Sequence, residues 1–292
     1  MATTLATART DYNADIVAFC PHGDILACGC YELAESGATI ADGKRLGHIE
    51  FYATDAASGS AEPSGAEEAQ LRRVATVGEE GILDCVWSTE RGAHGASILA
   101  AACSDGRARL YSIDICISTV PTAPAPTKTA AVECEDAGVC MSVAWGYASA
   151  GTGSRLALSS TAGKLYVVDT AVAGMAVVSS WDAHSDSGWS VAFDAADPHT
   201  LYSGGDDAAF KRWDLRQAGA GGPAASAGAN SRSHGAGVCC ISPFCSEAVP
   251  VGAPIVATGS YDEKARLWDC RMLRVRGAGL CEFPPAHTHT HT

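Results

Sequence analysis

Between Ser203 and Arg216 the sequence reads SGGDDAAFKRWDLR, and between Thr258 and Arg271 it reads TGSYDEKARLWDCR. The two stretches align without a gap. Each places a hydroxyl ahead of an acidic turn and a Trp-Asp pair, and each follows a histidine, His184 in WDAHSDSGWS and His234 in SRSHGAGVCC. Hydroxyl, imidazole and carboxylate are the residue types of nucleophilic and acid–base chemistry. A Ser-His-Asp reading would pair Ser203 with His184 and Asp207. Against it, the sequence has no G-x-S-x-G turn between strand and helix, and both hydroxyls fall inside strand-like segments. The Gly-rich stretches also lack the spacing of a dinucleotide or phosphate loop. His287, His289 and His291 alternate in the terminal CEFPPAHTHTHT, where an unstructured end is the stronger reading and loose metal binding the weaker.

The recurrence has to be explained before any site, because self-similarity at a fixed period decides architecture. Each copy holds an alternating strand, a small-residue strand ending in a turn, and a third strand closing on Trp-Asp or its substitute. The fourth copy is GWSVAFD, TLYSGGDD and FKRWDLR; the fifth is GVCCISP, PIVATGSYD and EKARLWDCR. Earlier copies are degenerate. ILDCVWS, SILAAACSD and GRARLYSID form the second, with Tyr111 in the Trp position, and CMSVAWG, RLALSSTA and GKLYVVDT the third, with Val168 there. DIVAFCP, ILACGCY and LGHIEFY form the first, interrupted by an insertion from about Glu32 to Arg45. Ala/Gly/Ser/Pro-rich stretches between copies read as loops leading to a fourth, outer strand. Three strands plus an outer one, repeated, predict an all-β fold, a WD-repeat β-propeller with about five visible blades. Five is fewer than the usual complement of about seven for WD-repeat propellers. Either the ring is small, or the chain is C-terminally incomplete relative to a seven-bladed propeller and leaves sheet edges open. The expected organisation is an unstructured start over 1–12, the propeller over 13–275 and a tail over 276–292.

The resemblance to WD repeats implies a role for the repeated polar residues. In such repeats Trp, Ser/Thr, His and Asp hydrogen-bond across each blade, which assigns Trp213, Ser203, His184 and Asp207 to one tetrad. Trp268, Thr258, His234 and Asp262 form the other. Mutual satisfaction removes a cost of about 1–3 kcal/mol for each buried group left unpaired. Subtracting the tetrads leaves Asp206, Tyr261 and Glu263 in the two acidic turns, with Trp189 opening an inner strand and Tyr202 flanking a turn. Propeller geometry would gather these on one rim of the central channel, where carboxylates beside aromatic faces suit a quaternary ammonium group. The bland alternative is solvated turn residues and strand aromatics.

Composition narrows the classes. A net charge of −13 argues against nucleic acid and anionic lipid as partners, and suits a basic or cationic one. No apolar run is long enough to cross a bilayer and the N-terminus lacks a signal-type apolar core, so the cytoplasm is the expected compartment. The 13 cysteines show no CxxC ligand spacing; Cys28 with Cys30, and Cys239 with Cys240, read as buried free thiols in strands rather than disulfides or zinc ligands.

Some of these strings are more particular. NADIVAFCP, ILACGCYEL and RLGHIEFY, then LYSGGDD before RWDLR and ATGSYDE before LWDCR, resemble in the same order the diphthine methyl ester hydrolase family, whose members are often named diphthine methyltransferase. The resemblance runs from about Asn13 to Arg271. It implies hydrolysis of a methyl ester on a modified histidine of elongation factor 2, a step of diphthamide biosynthesis, with no metal or organic cofactor. The implied substrate carries a trimethylammonium group, which matches the acidic and aromatic rim. No family motif fixes the nucleophile. By position, Asp206 and Glu263 are candidates for base work or cation binding, Tyr261, Trp189 and Tyr202 for substrate binding, and His184 for a base. Repulsion between Asp206 and Asp207 would raise a carboxyl toward neutrality. The family continues beyond LWDCR, so closing blades and any site residues on them fall outside this sequence. Fold alone does not give function, and a non-catalytic WD-repeat scaffold binding other proteins is the competing expectation.

Overall fold

The computed structural model describes residues 6–33, 45–54, 71–78, 80–114, 126–146, 154–171, 174–219, 222–225, 234–244 and 255–270. The insertion after Leu33, most of the Gly- and Pro-rich loops, and everything from Arg271 onward, including His287, His289 and His291, lie outside the described residues.

Alternation of apolar and polar residues folds the chain into five antiparallel sheets, each a meander in sequence order. The first holds β1 (Ala14–Phe19), β2 (Ile25–Leu33), β3 (Arg45–Thr54) and β4 (Leu71–Val77). The second holds β5 (Ile82–Arg91), β6 (Ser97–Cys103), β7 (Arg107–Ile113) and β8 (Thr127–Glu133). In the third are β9 (Cys140–Gly146), β10 (Arg155–Ser160), β11 (Lys164–Asp169) and β12 (Ala176–Asp182). The fourth comprises β13 (Gly188–Phe193), β14 (Thr200–Gly205), β15 (Phe210–Gly219) and β16 (Gly222–Ala225), and the fifth β17 (Val238–Phe244), β18 (Ile255–Ser260) and β19 (Lys264–Asp269).

The core lies between sheets. Ile49 and Phe51 pack on Cys85 and Leu99 of the second sheet. Ala100 and Ala102 receive Val143, Leu156 and Tyr166 of the third. Leu165 and Trp181 meet Phe193 and Trp213, and Tyr202 and Phe210 meet Val256 and Trp268. The inner strands β1, β5, β9, β13 and β17 neighbour one another in that order. Trp87 Nε1 donates to the Ala18 carbonyl at 3.0 Å and Trp145 Nε1 to the Val86 carbonyl at 3.0 Å, so inner strands of successive sheets are also stitched by equivalent indoles. This is the stacking of propeller blades.

Register confirms the degenerate copies. Leu99 faces Tyr111 and Leu156 faces Val168, just as Leu201 faces Trp213 and Val256 faces Trp268. In the fourth sheet Trp213 Nε1 donates to Ser203 Oγ at 2.8 Å, Ser203 Oγ lies 2.7 Å from His184 Nε2, and His184 Nδ1 lies 2.8 Å from Asp207 Oδ1. In the fifth, Trp268 Nε1 donates to Thr258 Oγ1 at 2.8 Å and His234 Nε2 lies 2.9 Å from the same hydroxyl. Asp262 differs from Asp207 in its main partner: it takes a forked pair of hydrogen bonds from Arg266 at 3.0 and 2.7 Å. The same acid-to-i+4 cation fork joins Asp105 to Arg109 in the second sheet, which has neither the His nor the Trp.

Burial pushes Asp207 upward, but the His184 hydrogen bond and charge, the Ala209 N–H and Lys211 outweigh it and hold the carboxyl at about 2. The mutual repulsion expected of Asp206 and Asp207 therefore does not govern Asp207. Burial, aided by Arg266, pushes His234 down to about 4 against the pull of Asp262.

These shifts give neighbouring sheets different acid limits. A depressed folded pKa stabilises above the unfolded value and is lost as pH falls through the folded one. The His234 contribution is therefore lost as pH falls from 6.5 toward about 4, and that of Asp207 only from 3.8 toward about 2. Amide exchange should show β17–β19 loosening in the first window while β13–β15 stay protected, and His234→Gln should abolish that difference. Ser203→Ala leaves the Trp213 N–H and His184 Nε2 without their shared oxygen and should cost about 3 kcal/mol in a denaturant melt, from about 1–3 kcal/mol per stranded group.

Candidate functional site

Each inner strand begins with the same irregularity. The register slips by one residue between Ala14 and Ile16, Ile82 and Asp84, Cys140 and Ser142, Gly188 and Ser190, and Val238 and Cys240. A β-bulge leaves one residue unpaired and re-aims its side chain. The five extra residues are Asp15, Leu83, Met141, Trp189 and Cys239, and all five line a single central cavity of 1160 Å³. The next residue of each strand, Ile16, Asp84, Ser142, Ser190 or Cys240, lines it too. The repeated bulge thus converts five ordinary edges into two rings of side chains around one space.

Within these rings Asp84 stands apart. Its Oδ2 accepts the Val143 N–H of the neighbouring inner strand at 2.9 Å. Burial pushes the carboxyl above its ordinary range, against the Val143 and Cys85 N–H groups and the Ser142 hydroxyl, and Asp15 adds to the upward push. Trp189 is the second distinctive member. Its indole N–H is buried with no hydrogen-bond partner, and its ring meets Tyr261 edge-on with centroids 6.2 Å apart at 79°. Of the five buried side-chain polar atoms without a partner among the described residues, the Trp189 N–H is the one that belongs to the cavity lining, where a ligand can accept it.

The structure brings together part of the rim expected from sequence. Tyr261 is 64% exposed, and its N–H donates to the Gly237 carbonyl at 3.0 Å. A Cβ at Gly237 would lie 2.7 Å from Asp206 Oδ1, so the glycine makes room for that carboxylate beside Tyr261. Glu263 is exposed in the same turn as Tyr261, with a left-handed φ of 64°. Two expected residues sit elsewhere. Tyr202 is fully buried between sheets, where its hydroxyl donates to Asp194 at 2.6 Å and its ring stacks on Phe210. Strand alternation turns it away from the acidic turn that it flanks. The His184 side chain has no exposed surface, both ring nitrogens are engaged by Ser203 and Asp207, and it lies outside the cavity lining, which places it as a bolt within the blade. Cys240, expected to be buried, is exposed, and Cys239 half-buried.

Among the described residues one group has converging metal-binding atoms: Cys30, His48 and Glu50, all buried and within 4.8 Å of one another. It lies in the first sheet, outside the cavity lining. Among those residues no helix is long and apolar enough to cross a membrane.

Comparison with known proteins agrees with this architecture. Residues 229–269 match the family described as WD domain, G-beta repeat. Sqt1 from Chaetomium thermophilum superposes with a TM-score of 0.61 at 17% identity, covering 88% of this chain and 59% of that one. A chain of the mitotic checkpoint complex gives 0.54 at 17% identity, over 93% of this chain and 69% of the other. Both likenesses concern fold alone. In sequence the chain is 29% identical to diphthine methyltransferase of Mus musculus across 98% of its length, and 28% identical to that of Homo sapiens across 92%. It spans 60% and 59% of those two proteins. The protein of that name from Schizosaccharomyces pombe is 27% identical, with 91% of this chain and 69% of the relative aligned. Over 91–98% of its length the chain is therefore similar in sequence to these diphthine methyltransferases, and part of it matches a WD repeat.

Proposed function

We propose that this chain carries the reaction centre of a methyl ester hydrolase that acts on methylated diphthine of elongation factor 2 in the cytoplasm. The observation that carries the reading is one cavity lined by both a carboxylate raised by burial, Asp84, and an unsatisfied indole N–H, Trp189. Asp84 takes a proton from water as the water oxygen attacks the ester carbonyl. The carbonyl oxygen becomes an oxyanion, for which the Trp189 N–H is a fixed donor. Collapse expels methoxide, which takes the proton from Asp84 and leaves as methanol. The product acid ionises, so each turnover consumes one ester and one water and yields one carboxylate, one methanol and one proton. The trimethylammonium group of the substrate would sit against Trp189 and Tyr261, with Asp206 and Glu263 supplying negative charge at the rim. Asp84 takes the place of His184 as the base, since of the two only Asp84 lines the cavity.

A second reading, a protein-binding scaffold without catalysis, draws on exposed apolar residues of the first and last inner strands: Phe19 is 71% exposed and Phe244 51%. The two separate in one assay, the loss of the methyl group from esterified elongation factor 2 followed by mass spectrometry. Hydrolysis is expected, and a stable ester at high protein concentration would leave the scaffold reading standing. Asp84→Asn should lower turnover at least about 100-fold, the usual scale of acid–base catalysis, while the melting temperature holds within a few degrees. Trp189→Phe keeps an aromatic wall but deletes the N–H; kcat should fall about 100-fold with little change in KM.

A further inference from the structure

The first sheet carries a second concentration of chemistry. Cys28 and Cys30 are two residues apart on β2 and therefore share a face. Register places Glu50 of β3 opposite Cys28 and His48 opposite Cys30, so four ligand-type residues form a square on one sheet face. All four are buried. This is the face turned away from the second sheet: Ala27 and Ile49 pack toward that neighbour, whereas Cys28, Cys30 and Tyr52 pack with Ala8 and Tyr12 of the segment preceding β1.

The ligand atoms of three of the four, Cys30, His48 and Glu50, converge on one centre, and Cys28 stands beside Cys30 next to it. Cys28 Sγ and Cys30 Sγ are 4.0 Å apart, His48 Nε2 and Glu50 Oε1 2.9 Å, and the ligand atoms of Cys30, His48 and Glu50 lie within 4.8 Å of each other. Tetrahedral zinc holds sulfur at about 2.3 Å and nitrogen or oxygen at about 2.0–2.2 Å, which sets neighbouring ligand atoms about 3.3–3.8 Å apart. The observed spacings bracket that range. Around the square are groups that orient the ligands: Glu50 also accepts the Asp11 N–H at 3.0 Å and the Tyr52 hydroxyl, and lies 3.3 Å from Arg73 Nη1. Such outer hydrogen bonds to a ligand carboxylate are what metal sites require. Sheet packing alone does not call for two thiols, an imidazole and a carboxylate in one buried patch.

We propose that Cys28, Cys30, His48 and Glu50 form a structural zinc site in the first sheet. Two thiolates with an imidazole select zinc over magnesium or calcium. Both thiols lose their protons to solvent as the metal binds, and His48 binds as the neutral ring. The resulting thiolates and carboxylate carry three negative charges, which the dication and the Arg73 guanidinium neutralise. His48 exchanges its hydrogen bond to Glu50 for the metal, and the two side chains part by about half an ångström. The metal ties β2 to β3, and through the Glu50–Asp11 contact it fastens the segment before β1 onto the sheet. No fixed spacing in the sequence announces this set, because the two halves lie on either side of the insertion.

The test uses the full chain purified without a metal-affinity step, since His287, His289 and His291 could bind metal on their own. Elemental analysis should find one zinc per chain. Chelation should lower the melting temperature, and added zinc should restore it. Cobalt added to the metal-free chain should give a thiolate-to-metal charge-transfer band, which histidines alone cannot produce. The band should disappear in Cys28→Ser and in Cys30→Ser and persist in Cys240→Ser, with circular dichroism checking the fold of each. Where a cysteine variant fails to fold, the chelation and restoration of the wild-type chain decide. A folded wild-type chain with no zinc and no cobalt band overturns the proposal. So does a band that survives both cysteine substitutions, or a Cys28–Cys30 disulfide that yields no metal binding after reduction.

Discussion

Everything in this molecule depends on sheets whose apolar faces each need a neighbour. A sheet with one wet face can stand alone, but Ile49 and Phe51 of the first sheet and Leu156 and Tyr166 of the third need a partner on a particular side. Stacking face to face satisfies each sheet only by presenting the next with the same demand. The chain meets that demand four times in succession, and the inner strands are drawn around a common axis. The central cavity is the space left there, because backbones cannot converge to a point.

Polar chemistry enters such a stack only where it is satisfied. The fourth sheet does this with four side chains, Trp213, Ser203, His184 and Asp207, the fifth with Trp268, Thr258 and His234 beside the forked Asp262–Arg266 pair, and the forked Asp105–Arg109 pair does it with two. The difference between Asp207 and Asp262 shows how much freedom the plan allows. Lys211 lies 3.5 Å from Asp207 and leaves it for His184, whereas Arg266 occupies Asp262 with both of its Nη atoms. A planar fork competes for a carboxylate where an ammonium group does not. The same scaffold position therefore yields a histidine-centred bolt in one sheet and an arginine-centred one in the next.

What sequence could reveal follows from how local each feature is. The strand order, the Trp position of the degenerate copies, the His184 tetrad and the Trp268–Thr258–His234 part of the other were legible because these partners recur at fixed offsets from the Trp-Asp pair. Tyr202 misled because adjacency along a strand places neighbours on opposite faces. Asp84 was hidden in ILDCVWS, where a lone carboxylate in an apolar strand was the available signal. The fourth strands β4, β8, β12 and β16 follow low-complexity stretches that carry no periodicity, so only their general place could be read.

The bulge is the element that sequence reading lacked, and it explains why the site lies where it does. An unbroken inner strand would point alternate side chains into the two neighbouring interfaces, and none would be available to a ligand. One extra residue at the start of each strand releases Asp15, Leu83, Met141, Trp189 and Cys239 from that alternation without disturbing the packing farther along. Bulged positions contribute little to stacking and can vary in chemistry from sheet to sheet, as an acid, two apolar chains, an indole and a thiol do here. The residues that hold the stack together must repeat, whereas those that face the cavity need not. A chemically distinct residue such as Trp189 at a bulge is for that reason more informative about function than the repeated acids beside the Trp-Asp pairs.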